Sequence, residues 1–221
     1  MLVTLINDNP VYMNYLKAFL MSLAVNTSED ICVYLVNCSE EYAENLKKIN
    51  NRAEVTIINK PMAAISAIHL SATVLLEVMD KGYPKVAFTD NDMLVRGRLD
   101  GFWEDIEKDT LKVMYRPAQD SKRKFQNGIY GLGNSPKTYE MIKDLERKIK
   151  DSTVWYDDQK QLYKRWKKSG VRLIKLEKKY NDHHFEDDSI IWHCKLKHKD
   201  SNKTWNKEFG YYLGLAKEAI A

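Results

Sequence analysis

Cysteine is scarce in this sequence: Cys32, Cys38 and Cys194 are odd in number and form no CxxC pair. That argues against a disulfide framework and a structural zinc site, and makes reduced, mostly buried thiols the expectation. Long apolar runs are missing too; none approaches the roughly 20 residues that cross a bilayer. The opening MLVTLINDNP has neither the basic flank nor the long apolar core of a signal peptide, so a cytoplasmic protein is expected. No internal repeat, low-complexity tract or linker-like shift interrupts the chain. One domain is therefore expected across residues 1–221.

What is present reads as globular, with hydrophobic residues at 44% and charged residues at 30%. The net charge of +4 is mild, although lysines recur densely from Lys160 to Lys207 among Trp166, Trp192 and Trp205. Basic residues mixed with aromatics can track a nucleic acid. A solvated surface with a local anion site explains them more simply, and no nucleic-acid partner is expected.

The first half alternates short β-like runs with helical patterns, the signature of an α/β layer fold. LVTLI (2–6), ICVYLVN (31–37), EVTIIN (54–59) and KVAFT (85–89) read as strands. Asn9 with Pro10, and Ser39, open helices between them, and a long helix is expected over 61–82, from Pro61 to Gly82. Further on, 111–115, 127–133 and 171–177 look like strands, and 135–150, 157–170 and 205–220 look like helices. In open α/β sheets ligands bind beyond the carboxyl ends of the strands. Asp8 follows the first strand and Asp90 the fourth, so central placement of both would give them one crevice.

The segment FTDNDMLV carries Asp90 and Asp92 one residue apart at the end of an apolar strand. On extended backbone, positions i and i+2 point the same way, so two carboxylates can face one Mn²⁺ or Mg²⁺. The spacing alone is weak, arising about once by chance in a chain this rich in aspartate. A solvated Asx-type turn is the plain alternative. A metal-dependent phosphohydrolase with Asp90 as nucleophile is another, although its motif usually follows the first strand.

The succession VTLINDNPVYMNYLKAFLMSL, VAFTDNDMLVRGRLDGFWED, FQNGIYGLGNSPKTYEMI, WYDDQKQLY and IWHCKLKHK resembles the family 8, glycogenin-like glycosyltransferases. The resemblance implies a GT-A, Rossmann-like fold: a mixed, mostly parallel central sheet flanked by helices. Residues 1–115 would form its nucleotide half and 116–221 its sugar and acceptor half. It implies a hexosyltransferase that uses a nucleotide-sugar donor, usually UDP-linked, and Mn²⁺ or Mg²⁺, with retention at the anomeric carbon. The acceptor, a glycan, protein or small molecule, is left open, as is the oligomeric state.

Residue by residue, the resemblance gives Thr4, Asn7, Asp8 and Tyr12 to the nucleoside. Asp90, Asp92 and His193 go to the metal, and Asn91 between the aspartates is grouped with the donor-binding residues. Lys199 goes to the diphosphate, and Asn127 and Gly128 to the sugar, the glycine allowing close backbone approach. Asp158 and Gln159, with Asp157 as a substitute, go to the reacting centre, where a carboxylate can offset positive charge at the anomeric carbon. Capping of a helix by Asp157 is its structural alternative. The sequence departs from the family pattern at His69, in the helix where an Arg or Lys is usual, and at Leu196, where a glycine is usual. A non-catalytic nucleotide-sugar-binding protein of the same fold is therefore a further alternative.

Overall fold

The computed structural model describes residues 1–60, 69–120, 122–150, 152, 154, 156–193 and 201–221. The chain runs β1 (Leu2–Asn7), α1 (Pro10–Asn26), β2 (Ile31–Val36), α2 (Glu40–Ile49), β3 (Ala53–Ile58), α3 (Ser71–Asp80), β4 (Lys85–Thr89) and β5 (Met93–Val95). It continues through α4 (Asp100–Trp103), β6 (Thr110–Tyr115), β7 (Phe125–Gly133), α5 (Pro136–Ile149), α6 (Asp157–Ser169), β8 (Arg172–Lys175), β9 (Ile191–His193) and α7 (Lys203–Ile220).

The helix starts follow their capping residues. The Asn9 side chain accepts the Val11 N–H at 3.0 Å and Ser39 that of Tyr42 at 3.2 Å. Ser135 and Thr138 form a reciprocal capping box with Pro136 in the first turn. Each such cap contributes about 1 kcal/mol. Gly82 sits beyond α3 at φ 84°, a left-handed value that glycine adopts without strain. Pro61 and the first part of the long helix expected over 61–82 lie outside the described residues; α3 is its second part.

One sheet has the strand order β3-β2-β1-β4-β7-β6-β8, and every neighbouring pair is parallel except the two that β7 makes with β4 and β6. This is the mixed, mostly parallel sheet expected of the chain. Its inner strands β1, β2, β4 and β7 are buried on both faces, which is why they read as continuous apolar runs rather than alternating ones. In β1, Leu2 and Ile6 join the core under α1, α2 and α7, while Val3 and Leu5 join the core under α3, α5 and α6.

Two strands were not expected from sequence. Met93–Val95 and Ile191–His193 pair antiparallel as a separate two-stranded sheet, with Met93 opposite His193. Three-residue strands carry no readable period. This small ribbon is nevertheless what sets the functional cluster.

Candidate active site

The parallel strands β1 and β4 are neighbours in the middle of the sheet. Their carboxyl ends therefore open on the same edge, with Asn7 and Asp8 after one and Asp90 after the other. The Thr4 hydroxyl donates to the Thr89 carbonyl at 2.9 Å, and Asn91 Nδ2 donates to the Leu5 carbonyl at 3.1 Å. These bonds tie the end of β1 to the loop that carries Asp90 and Asp92. Thr4 is fully buried, and the Asn91 amide is tied back to β1, so both brace the loop.

Asp90, Asp92 and His193 each direct one ligand atom into a common spot, all within 4.8 Å of one another. His193 Nε2 lies 3.1 Å from Asp92 Oδ1 and 3.6 Å from Asp90 Oδ2. The pairing of Met93 with His193 brings the imidazole there across a sequence gap of about a hundred residues. The other ring nitrogen, Nδ1, donates to Asn181 Oδ1 at 2.9 Å. That bond leaves the Nε2 lone pair aimed at the carboxylates, the state a metal-binding imidazole needs. The donor set fits a divalent cation held by two hard oxygens and one nitrogen.

Asn181 was not expected from sequence; it lies in a polar tail without periodicity. It is held by its neighbour Asp182, whose carboxylate accepts from His184 N–H, Glu186 N–H and the Ser189 hydroxyl at 2.7–2.8 Å. Burial opposes ionisation of Asp182, but those donors outweigh it and hold its carboxyl below the usual range. His183 is fixed as well: its Nδ1 donates to the His193 carbonyl at 2.5 Å, and its Nε2 accepts from the Gln126 amide. Replacing Asn181 by alanine is expected to weaken Mn²⁺ binding by roughly 10–100-fold. Asn181→Asp, which keeps an acceptor for Nδ1, should recover most of that loss in a Mn²⁺ titration. Equal affinities for wild type and Asn181→Ala would remove Asn181 from this role.

Gly128 packs directly against the His193 ring. A Cβ there would meet His193 Nδ1 at 2.5 Å and Met93 Cε at 2.8 Å. The missing side chain thus makes room for the imidazole. The Gly128 carbonyl also accepts the Asp90 N–H at 2.7 Å, which pins the aspartate loop to β7. Between Val113 and Met114 the β6–β7 register shifts, and the bulge leaves Asn127 to Ile129 unpaired with β6. Gly128→Ala is expected to displace His193, with roughly a 10–100-fold loss of Mn²⁺ affinity and about 1–3 kcal/mol of stability. A titration and a thermal melt check both. Unchanged affinity would show that the ring has room to move.

The remaining candidates surround this cluster. Tyr12 is half-buried beside the aspartates; burial pushes its phenol up, and the charges of Asp92 and Asp90 add to that. Asn7 is half-buried and Asp8 exposed. Asn127 Nδ2 lies 3.5 Å from Asp158 Oδ2. The left-handed backbone of Tyr156, at φ 73°, aims the first turn of α6 so that Asp158 meets β7. Burial pushes the Asp158 carboxyl up, and the Gln159 N–H, the Asn127 amide and the charge of His69 offset this only in part. Tyr156, not Asp157, is the N-cap of α6; Asp157 accepts instead from Gln161 at 3.2 Å and faces Lys160 at 3.8 Å. Gln159 follows in the same turn.

His69 is 1% exposed, and among the described residues neither ring nitrogen has a hydrogen-bond partner; Asn127 Oδ1 is in the same position. Buried polar atoms without partners are costly unless something binds them. Lys199 and Leu196 lie outside the described residues.

No protein-family model matches the chain, and no curated protein does. Solved structures do match. The glycosyltransferase GlyE of Streptococcus pneumoniae TIGR4 has a TM-score of 0.68 at 17% identity, covering 98% of this chain and 63% of its own. The bifunctional glycosyltransferase WbbM scores 0.64 at 16% identity, over 100% of this chain and 49% of WbbM. The galactosyltransferase LgtC, solved with donor and acceptor sugar analogues, scores 0.62 at 17% identity, over 99% and 96%. The chain thus spans less than two thirds of the first two proteins and nearly all of the third. At these identities the likeness establishes the fold, which is that of the GT-A glycosyltransferases.

Proposed function

We propose that the chain is a hexosyltransferase that moves a sugar from a nucleotide-diphosphate donor, UDP-linked, to a hydroxyl of an acceptor glycan, protein or small molecule. One observation carries this reading. Two carboxylates and an imidazole, with ligand atoms within 4.8 Å of each other, sit where the central strands of a GT-A fold end. Asp90, Asp92 and His193 would hold Mn²⁺ or Mg²⁺ there, and Asn181 keeps the imidazole in the required orientation. A bound cation supplies Lewis-acid neutralisation of the diphosphate as it leaves.

The chain's own residues do the rest. Asn7 and Asp8 offer polar groups to the nucleoside and Tyr12 a ring face. Asn127 Oδ1 and the His69 ring nitrogens, without partners among the described residues, are offered to sugar hydroxyls. His69 would take the place of the Arg or Lys usual in the family. The Asp158 carboxylate, with Gln159 beside it, offsets positive charge at the anomeric carbon while the acceptor oxygen attacks. Lys199 is kept as the diphosphate's cationic partner, and retention follows the family resemblance. Free, buried Cys32 and Cys38 suit a reducing compartment, the cytoplasm. No helix among the described residues is long and apolar enough to cross a membrane.

A phosphohydrolase using Asp90 as nucleophile gains no support: the aspartates follow the fourth strand, and the solved neighbours are glycosyltransferases. Calorimetric titration with UDP, with and without Mn²⁺, tests the proposal. Metal-dependent binding of UDP is expected, and sugar release from a UDP-sugar should follow. UDP binding without any turnover would identify the non-catalytic alternative, and UDP binding indifferent to metal would overturn the assignment of Asp90, Asp92 and His193.

A further inference from the structure

Beside the metal cluster lies a second cavity of about 680 Å³. Arg116, Gln126, Lys178, Asn181, His183 and His184 are among its polar lining residues, and no described carboxylate lines it. Two of its donors lack acceptors among the described residues. Arg116 Nε and Asn181 Nδ2 are both buried and make no hydrogen bond. Asn181 as a whole is 1% exposed. Its Oδ1 holds His193, while its amide nitrogen, in a residue that lines the cavity, is buried without an acceptor among the described residues.

Arg116 directly follows β6 with no ion-pair partner among the described residues, and the charge that acts on it is the like charge of Arg123. Burial, then that like charge, pulls its guanidinium down from its ordinary value. An uncompensated, partly buried guanidinium is expensive, and a fork of N–H donors beside a free amide N–H matches the oxygens of an anion. Of the other cations, Lys178 is already paired with Glu186 at 2.6 Å, and the nearby Asp182 carboxylate is fully engaged by its three donors.

We propose that this cavity binds the anionic group, a phosphate or carboxylate, of the acceptor, with Arg116 as its ion partner and Asn181 Nδ2 as its second donor. That the anion belongs to the acceptor rests on the glycosyltransferase reading; the anion site itself does not. The donor's diphosphate goes to the cation on the Oδ1 side of Asn181, so the Nδ2 side serves a second anion. Gln126 lines the cavity and the next residue of β7, Asn127, reaches Asp158 from the other face of the strand, so the two sites share one strand end.

The test is titration of the full chain with inorganic phosphate in the presence of a chelator. Saturable one-site binding is expected without metal, weakened about tenfold or more by Arg116→Gln, partly by Arg116→Lys, and not at all by the double change Asp90→Ala, Asp92→Ala. Asn181→Asp keeps the His193 acceptor but puts a carboxylate in the cavity, and should abolish phosphate binding; it carries the test if Arg116→Gln does not fold. Glucuronate and glucose titrated in parallel separate a carboxylate source from a phosphate one, and equal binding of neutral glucose would sink the proposal. So would the absence of metal-free phosphate binding, or wild-type affinity in folded Arg116→Gln. UDP with Mn²⁺ is run on the same variants. No UDP binding by the wild-type chain, with its phosphate binding intact, would overturn the transferase reading and leave the anion site standing. If Arg116→Gln weakened UDP as much as phosphate, the cavity would belong to the donor and the acceptor assignment would fall.

Discussion

Changing Asp90 and Asp92 together to alanine is expected to abolish Mn²⁺-dependent UDP binding and to cut sugar transfer by about 10³-fold or more, in a chain that still folds. The size follows from the several kcal/mol that a bound cation contributes at a departing diphosphate, each 1.4 kcal/mol being about tenfold in rate. Folding should survive for a structural reason. The loop after β4 is held by main chain, through Asp90 N–H to the Gly128 carbonyl, and by Asn91 to Leu5, neither of which needs the two carboxylates. Their removal also relieves like charge in a half-buried spot. His193 would remain, locked by Asn181, but a lone imidazole does not retain Mn²⁺ against water. Calorimetry with and without Mn²⁺, beside a thermal melt, decides it. A folded double variant with wild-type UDP affinity and metal dependence would show that the cation, if there is one, sits elsewhere.

The parts of this site that could be read in the sequence are those fed by regular elements. β1 and β4 are apolar on consecutive positions because both faces of the sheet are covered, so their polar ends stood out and their shared edge was inferable. Asp90, Asp92 and His193 were named from the order of short motifs, but nothing in the chain announces why they meet. The reason is a ribbon of two three-residue strands, too short to carry a period, with Met93 opposite His193. Asn181 was invisible for a related cause: its job is defined by one partner in space, and its own neighbourhood is an irregular loop closed on the Asp182 carboxylate. Gly128 shows the limit from the other side. A glycine in a strand signals that something comes close, and only the fold shows that the visitor is the His193 ring. The bracing by Thr4 and Asn91 is likewise hidden in the sequence, because it depends on β1 and β4 lying side by side.

Asp158→Asn is expected to cost about 10³-fold in transfer while making the protein more stable at neutral pH. Both effects come from one cause. Asp158 has its carboxyl pushed up by burial, so the fold favours the protonated form more than the unfolded chain does. Below the unfolded value, about 3.9, both states are protonated and no penalty exists. As pH rises through the folded value the folded protein must carry a buried charge, and stability is lost relative to a neutral side chain. Asn imitates the neutral acid and can still accept the Gln159 N–H, so it avoids this penalty but cannot offset positive charge at the anomeric carbon. Thermal melts of the two proteins should therefore converge near pH 4 or below and separate in favour of the variant as pH rises, with UDP affinity unchanged. A variant less stable than wild type at neutral pH would show that the Asn127 and His69 contacts outweigh burial. Wild-type transfer rates in Asp158→Asn would remove the carboxylate from the chemistry, and leave His69 and Asn127 as the groups that face the sugar.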